Sequence, residues 1–205
     1  MYFQPDNVYH IYNRGNNKRL IFFKPENHIF FLNKIKTQLS PVCEMLCWCL
    51  MPNHFHFMIY ATAKSCEERK SFGGKPMQEL AYRIGILLSS YSQAINKQNN
   101  TTGSLFQQKT KAKLLSDDPI VHDASTRYDG YMVTCMHYIH QNAWKAGLVT
   151  KMEDWLYSSF IDYINNRNDK LCNKELLFSL TDLNSNCFYK ESYNVLPEEL
   201  LREIF

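Results

Sequence analysis

Cys43-Glu44-Met45-Leu46-Cys47-Trp48-Cys49-Leu50 and His54-Phe55-His56-Phe57-Met58-Ile59-Tyr60 are separated only by Met51-Pro52-Asn53. The first stretch is a short, nearly unbroken apolar run, the signature of a buried strand. The second is rich in aromatic and β-branched residues. A join this short, built on Pro and Asn, reads as a turn, so the two stretches form an antiparallel hairpin. Strand alternation then sets the side-chain directions. His54 and His56 project from one face, while Phe55 and Phe57 project from the other, into a core.

Upstream, Asn7-Val8-Tyr9-His10-Ile11-Tyr12-Asn13-Arg14 alternates as a strand and stops at Gly15-Asn16-Asn17. After Pro25-Glu26-Asn27, residues Ile29, Phe30, Leu32, Ile35 and Leu39 recur at helical spacing, and the helix closes near Ser40-Pro41 because a residue before proline avoids the α region. Downstream, 64–76 is polar, ends in Gly73-Gly74 and reads as a mobile loop. Met77, Leu80, Ala81, Ile84, Leu87, Leu88, Tyr91 and Ile95 then predict a long helix ended by Asn99-Asn100-Thr101-Thr102-Gly103. Residues 104–115 alternate from Gln107 as a strand broken by Asp117-Asp118-Pro119, and a second long helix runs from about 127 to 145, stopped at Gly147. The order β-α-β-β-α-β-α predicts an α+β fold: a ferredoxin-like antiparallel sheet with helices packed on one face. Residues 150–205 have weaker periodicity and Asn-rich breaks (Asn165-Asn166, Asn184-Ser185-Asn186). The expected organisation is one domain over 1–160 and a helical C-terminal extension over 161–205.

With 205 residues, 45% hydrophobic and 21% charged, the chain can close a core, which excludes disorder over most of its length. No run approaches the roughly 18 apolar residues of a membrane span, and Met1-Tyr2-Phe3-Gln4-Pro5-Asp6-Asn7 lacks a basic-then-apolar leader pattern, so a cytoplasmic protein without membrane partners is expected. The seven cysteines are scattered, with no CxxC pair, and read as reduced, mostly buried thiols. The net charge of +3 is uneven. Residues 1–36 carry six basic side chains against two acidic ones, 97–113 carry four lysines and no acid, and the C-terminal end is acidic. That distribution suits a localised anionic partner, most often nucleic acid, although solvated lysine faces have the same composition.

Two imidazoles on one strand face are spaced to ligate one metal ion, but the pattern equally fits a solvated strand and needs a third ligand. On the second long helix, Tyr131, Thr134, Tyr138, Gln141, Asn142 and Lys145 share one face, while Met132, Cys135, Met136, Ile139 and Ala143 share the other. Tyr138 and Asn142 therefore stand one turn apart on a polar face directed away from the core. Lys109, Lys111 and Lys113 alternate and line one face of their strand. Basic residues beside two histidines and a tyrosine suit phosphodiester chemistry. Tyrosine, with an ordinary pKa of about 10, is a weak nucleophile near neutrality, a deficit that a divalent cation on the phosphate offsets.

Several segments together resemble one family. Trp48-Cys49-Leu50-Met51-Pro52-Asn53-His54-Phe55-His56 is similar to the His-hydrophobic-His motif of single-tyrosine transposases, and Tyr138-Ile139-His140-Gln141-Asn142-Ala143-Trp144-Lys145-Ala146-Gly147-Leu148-Val149 is similar to their tyrosine helix. Trp155-Leu156-Tyr157-Ser158-Ser159-Phe160, Tyr9-His10-Ile11-Tyr12-Asn13-Arg14-Gly15 and Gly103-Ser104-Leu105-Phe106-Gln107 also fit. Over about residues 7–160 the chain resembles the REP-associated tyrosine transposases, relatives of the insertion-sequence 200-like (HUH) transposases. The resemblance implies that Tyr138 is the nucleophile forming a 5′-phosphotyrosine link to single-stranded DNA. It implies that His54 and His56 are metal ligands with Asn142 as the third, and that the metal is Mg²⁺ or Mn²⁺. Imidazole ligation favours Mn²⁺ of the two. The implied partner is single-stranded or hairpin DNA, with the protein a monomer or a homodimer. The basic loop Asn13, Arg14, Asn16, Lys18 and Arg19, with Lys109, Lys111 and Lys113, is the expected DNA contact. Where family members carry proline after the helix Asn, Ala143 stands here, which implies a straighter helix. The alternative reading is a domesticated, non-catalytic DNA hairpin-binding protein. His137 and His140 are turned about 100° and 200° away from Tyr138 and are not expected as ligands.

Overall fold

The computed structural model describes residues 1–70, 73–115, 130–164, 167 and 171–196. In chain order the elements are β1 (Asn7–Arg14), α1 (Pro25–Gln38), β2 (Cys43–Met51), β3 (His54–Ala61), α2 (Ala63–Cys66), β4 (Glu68–Lys70) and β5 (Pro76–Gln78). Then follow α3 (Glu79–Asn99), β6 (Lys111–Leu114), α4 (Tyr131–Lys145), α5 (Phe160–Tyr163), α6 (Lys174–Leu180) and α7 (Phe188–Ser192).

The main sheet has the order β2-β3-β1-β6 and every pairing in it is antiparallel, the ferredoxin-like arrangement expected from the element order. The hairpin from β2 to β3 turns on Pro52-Asn53, with Met51 opposite His54. Its carbonyls are used twice more: Gly15 N–H donates to Asn53 O at 2.8 Å and Ile21 N–H to Pro52 O at 2.8 Å. The turn bearing the histidines is thereby tied to the loop after β1. That loop needs glycine at position 15, because a Cβ there would collide with the Arg19 carbonyl.

Alternation in β3 separates two layers. Phe55 and Phe57 enter a core with Phe31 of α1, Tyr91 of α3 and Phe106, their ring centroids 4.5–6.4 Å apart. Phe31 is fully buried, so its truncation to alanine is worth about 3–5 kcal/mol. α4 lies on the opposite face, beside His56. The helices therefore cover both faces of the sheet, not one as expected. Element order places helices in sequence but does not say on which side a helix following the last strand returns.

Other expectations shift locally. The segment 64–76 is not a loop throughout: Thr62 caps α2, and β4 pairs with β5 as a small hairpin. Arg69 lies over the Tyr82 ring at 3.6 Å and donates to Glu79 at 2.8 Å, a polar fastening that has no apolar periodicity to reveal it. The strand expected over 104–115 pairs with β1 in two pieces. Gly15 bridges Phe106, and β6 resumes at Lys111 opposite Tyr12. The Asp117-Asp118-Pro119 break, the helix start near 127, Asn165-Asn166 and the acidic end lie outside the described residues.

α4 runs unbroken through Ala143 to Lys145 and is closed by Gly147 at φ 69°, where the absence of a Cβ removes the penalty. Part of its polar side is not solvated. Thr134 is fully buried, as are His137 and Gln141, over which the chain after α5 folds back. Gln141 Nε2 donates to Ser192 O and Asn194 O, both at 2.8 Å, and His137 Nδ1 pairs with Ser192 Oγ at 3.1 Å. The outer edge of β2 is also covered. Leu50 N–H donates to Tyr157 O and Asn173 N–H to Met45 O, each at 2.8 Å, leaving that edge closed to strand addition. Arg167 clasps this cover with two 2.7 Å bonds to buried Asp162 and further bonds to Leu156 O and Ser158 O. Among the described residues no helix is long and apolar enough to cross a membrane.

Candidate functional site

The register places His54 opposite Arg14, His56 opposite Tyr12, and Tyr12 in turn opposite Lys111. Directly opposed residues share a face, so imidazoles, aromatic rings and ammonium groups collect on the α4 side of the sheet. They line a cleft of about 420 Å³ with Tyr138. Lys109 and Lys111 both reach it, whereas Lys113 sits 4.7 Å over the Tyr131 ring.

Tyr138 and Asn142, one helical turn apart, project toward the two histidines. The Tyr138 ring meets His56 edge-on, with centroids 5.4 Å apart, and its hydroxyl donates to Asn142 Oδ1 at 3.4 Å. His54 Nε2 is also 3.4 Å from Asn142 Oδ1. The Asn142 amide cannot turn freely, because its Nδ2 donates to Tyr138 O at 2.8 Å.

Proton positions on His54 follow from its neighbours. Asn53 Nδ2 donates to Lys18 O at 3.2 Å, which leaves Asn53 Oδ1 facing His54 Nδ1 at 2.6 Å. A carbonyl oxygen there holds the single proton of neutral His54 on Nδ1. Burial first, and then the charge of Arg14, lower the His54 pKa against the opposing bond to Asn142, so the neutral form prevails. His54 Nε2 and Asn142 Oδ1 are therefore two acceptors turned toward each other. A divalent cation between them satisfies both. On the other side, His56 Nε2 is buried without a hydrogen-bond partner, and burial followed by the charges of His10 and His54 holds its pKa well below the ordinary value. Among the described residues no group of three or more His, Cys, Asp or Glu side chains is placed to hold a metal ion. Beside the two imidazoles, Asn142 Oδ1, 3.4 Å from His54 Nε2, is an oxygen that could complete a set of three donors. This donor set fits Mg²⁺ or Mn²⁺, and its neutral ligands leave the charge of the ion undiminished.

The basic loop divides. Arg14 lines the cleft and Lys18 is exposed. Asn16 Nδ2 donates to Ser104 O at 2.9 Å, and Arg19 donates to the same carbonyl. Asn13 is buried, its amide bonded to Gln107 O and Thr110 Oγ1. These three side chains fasten the 104–110 segment to β1 and the loop after it, a structural use beside the expected DNA contact. His137 and His140 lie away from the cleft; His140 Nε2 pairs with Ser159 Oγ at 2.8 Å.

Sequence reasoning passed over His10, whose Nε2 lies 2.9 Å from His56 Nδ1. The signal was available. His10 and Tyr12 are two apart in a strand, the same rule that pairs His54 with His56.

No protein-family model matches this chain, and no curated protein matches it. Among solved structures it is similar to one described as a REP-associated tyrosine transposase bound to a REP hairpin. The TM-score is 0.55 and the identity 12%, over 80% of this chain and 83% of the other. At that identity the likeness is one of fold.

Proposed function

We propose that this protein is a transposase: a metal-dependent endonuclease and strand transferase for single-stranded DNA, acting through a 5′-phosphotyrosine on Tyr138 at hairpin-containing sequences. The observation that carries the reading is the convergence of the Tyr138 hydroxyl and His54 Nε2 on one oxygen, Asn142 Oδ1, at 3.4 Å each, with the unpartnered Nε2 of His56 alongside. The shared fold with a hairpin-bound tyrosine transposase supports it.

His54, His56 and Asn142 would hold Mg²⁺ or Mn²⁺, which when bound polarises the scissile phosphate and stabilises the charge of the displacement. Tyr138 supplies the nucleophile. Its oxygen forms a bond to phosphorus, the bond from phosphorus to the 3′ oxygen breaks, and the phenolic proton leaves as one is delivered to that 3′ oxygen. The product is a 5′-phosphotyrosine and a free 3′-hydroxyl, so the phosphodiester energy is retained and the step is reversible. Burial raises the Tyr138 pKa, so the phenol is protonated near neutrality and its proton must leave during the displacement. Lys109, Lys111 and Arg14 attract and align the backbone of the strand. Tyrosine and histidines come from the same chain, which suits cleavage within one protomer.

The test is a hairpin-bearing, fluorescently labelled oligonucleotide incubated with Mn²⁺ and resolved on a denaturing gel. Wild-type protein gives a covalent adduct. Tyr138→Phe gives none while still binding the hairpin, and an undiminished adduct with that variant refutes the assignment.

A further inference from the structure

His10 is fully buried and the proposed chemistry makes no direct use of it. Its Nε2 lies 2.9 Å from His56 Nδ1, and the two rings are inclined by only 22°, so the bond runs nearly in both ring planes. Tyr12 stacks on its face at 4.7 Å and Tyr138 meets its edge at 6.4 Å, which leaves the ring little room to turn. The outward nitrogens, His10 Nδ1 and His56 Nε2, are both buried without partners.

Two neutral imidazoles sharing one hydrogen bond have two proton arrangements. Either His10 donates and His56 carries its proton on Nε2, or His56 donates from Nδ1 and its Nε2 presents a lone pair. Each leaves one N–H and one lone pair buried and unmatched, so the protein alone holds the pair near balance. Only the second arrangement exposes a donor to a cation.

We infer that His10 is a positioning residue: the acceptor that holds His56 in the Nδ1–H tautomer and so makes its Nε2 a metal ligand. The inference rests on the metal-site reading above. It gives His56 the counterpart of what Asn53 gives His54, since each ligand imidazole then has its Nδ1 anchored to an acceptor of the protein. Outer partners of this kind typically change metal affinity 10–100-fold when removed.

The test measures Mn²⁺ binding directly, by electron paramagnetic resonance of the free ion, in wild type, His10→Phe, His10→Gln and His56→Ala. Hairpin affinity in EDTA serves as a measure of folding. Phe fills the space without accepting a bond, and the expected result is a loss of Mn²⁺ affinity of about tenfold or more with hairpin affinity unchanged. Gln offers an acceptor oxygen and recovers most of that loss. In ¹⁵N-labelled wild type with Mg²⁺, the His56 nitrogen shifts report Nδ1–H. Unchanged Mn²⁺ affinity in folded His10→Phe, or a Gln variant as weak as the Phe variant, overturns the role of His10 while leaving the metal site standing. Wild-type binding that does not depend on His56 overturns the metal-site reading and this inference with it.

Discussion

Replacing Asn142 with leucine tests whether its oxygen faces a cation. Without metal, the structure gives it little stabilising work. Its Nδ2 bond to the Tyr138 carbonyl, at 2.8 Å, is worth about 0.5–1 kcal/mol. The Tyr138 hydroxyl contact, at 3.4 Å, is long, and the apposition to His54 Nε2 sets lone pair against lone pair. Leucine restores about 0.5 kcal/mol through its better helix propensity, so in EDTA the variant should match wild type to within about 0.5 kcal/mol. With Mn²⁺ at a hundredfold excess over its dissociation constant, wild type gains about 2.7 kcal/mol, or a rise in Tm of about 5–11 °C for a chain of this size. Losing a direct ligand costs at least the roughly hundredfold upper end for outer partners, which leaves about 0.4 kcal/mol or less of that gain, a rise of about 1–2 °C at most. Thermal denaturation of both proteins with EDTA and with Mn²⁺, alongside His56→Ala, measures the difference. A metal-induced rise in Asn142→Leu equal to that of wild type refutes the ligand assignment.

Other expectations come from groups outside the cleft. Burial lowers the pKa of His28 and His137 from 6.5 to about 4 and that of His140 to about 3. As pH falls below 6.5 the unfolded chain takes up these protons while the folded chain does not, so stability decreases from pH 6.5 down to about 4. Urea midpoints at pH 7 and pH 5 read the effect, and His137→Gln should lower the slope by about one proton. Arg167→Ala removes two 2.7 Å charge-assisted bonds to the buried Asp162 carboxylate and should destabilise by about 1.5–3 kcal/mol in urea titrations; a loss under about 1 kcal/mol means the clasp is dispensable. Lys109→Gln and Lys111→Gln should each weaken hairpin binding and reduce the salt dependence of log affinity by about one charge. Fluorescence anisotropy between low and moderate salt measures this, with Tm unchanged.

Most of the fold and the centre of the site were legible because they are written in local periodicity. Period two in 54–60 separates His54 and His56 from Phe55 and Phe57, and spacing of four brings Tyr138 and Asn142 together on one helix face. What was not legible concerns polar residues whose partners lie far away in the chain. Gln141 looks like a solvent-facing position until residues 192 and 194 arrive to bond it. Asn13, Asn16 and Arg19 read as a phosphate grip, and only the structure shows that each also bonds the 104–110 segment. A polar side chain carries the same sequence signal whether water, DNA or a distant backbone carbonyl satisfies it.

By itself, the sequence determined which residues could do chemistry and which way each points from its own strand or helix, because side-chain direction depends only on backbone geometry a few residues long. The tertiary structure alone decided that α4 lies against the histidine face of the sheet, that Asn142 turns its oxygen toward His54, and that His10 stands behind His56. Those are distances between segments remote in sequence, set by how the layers pack and by which buried hydrogen bonds must be completed.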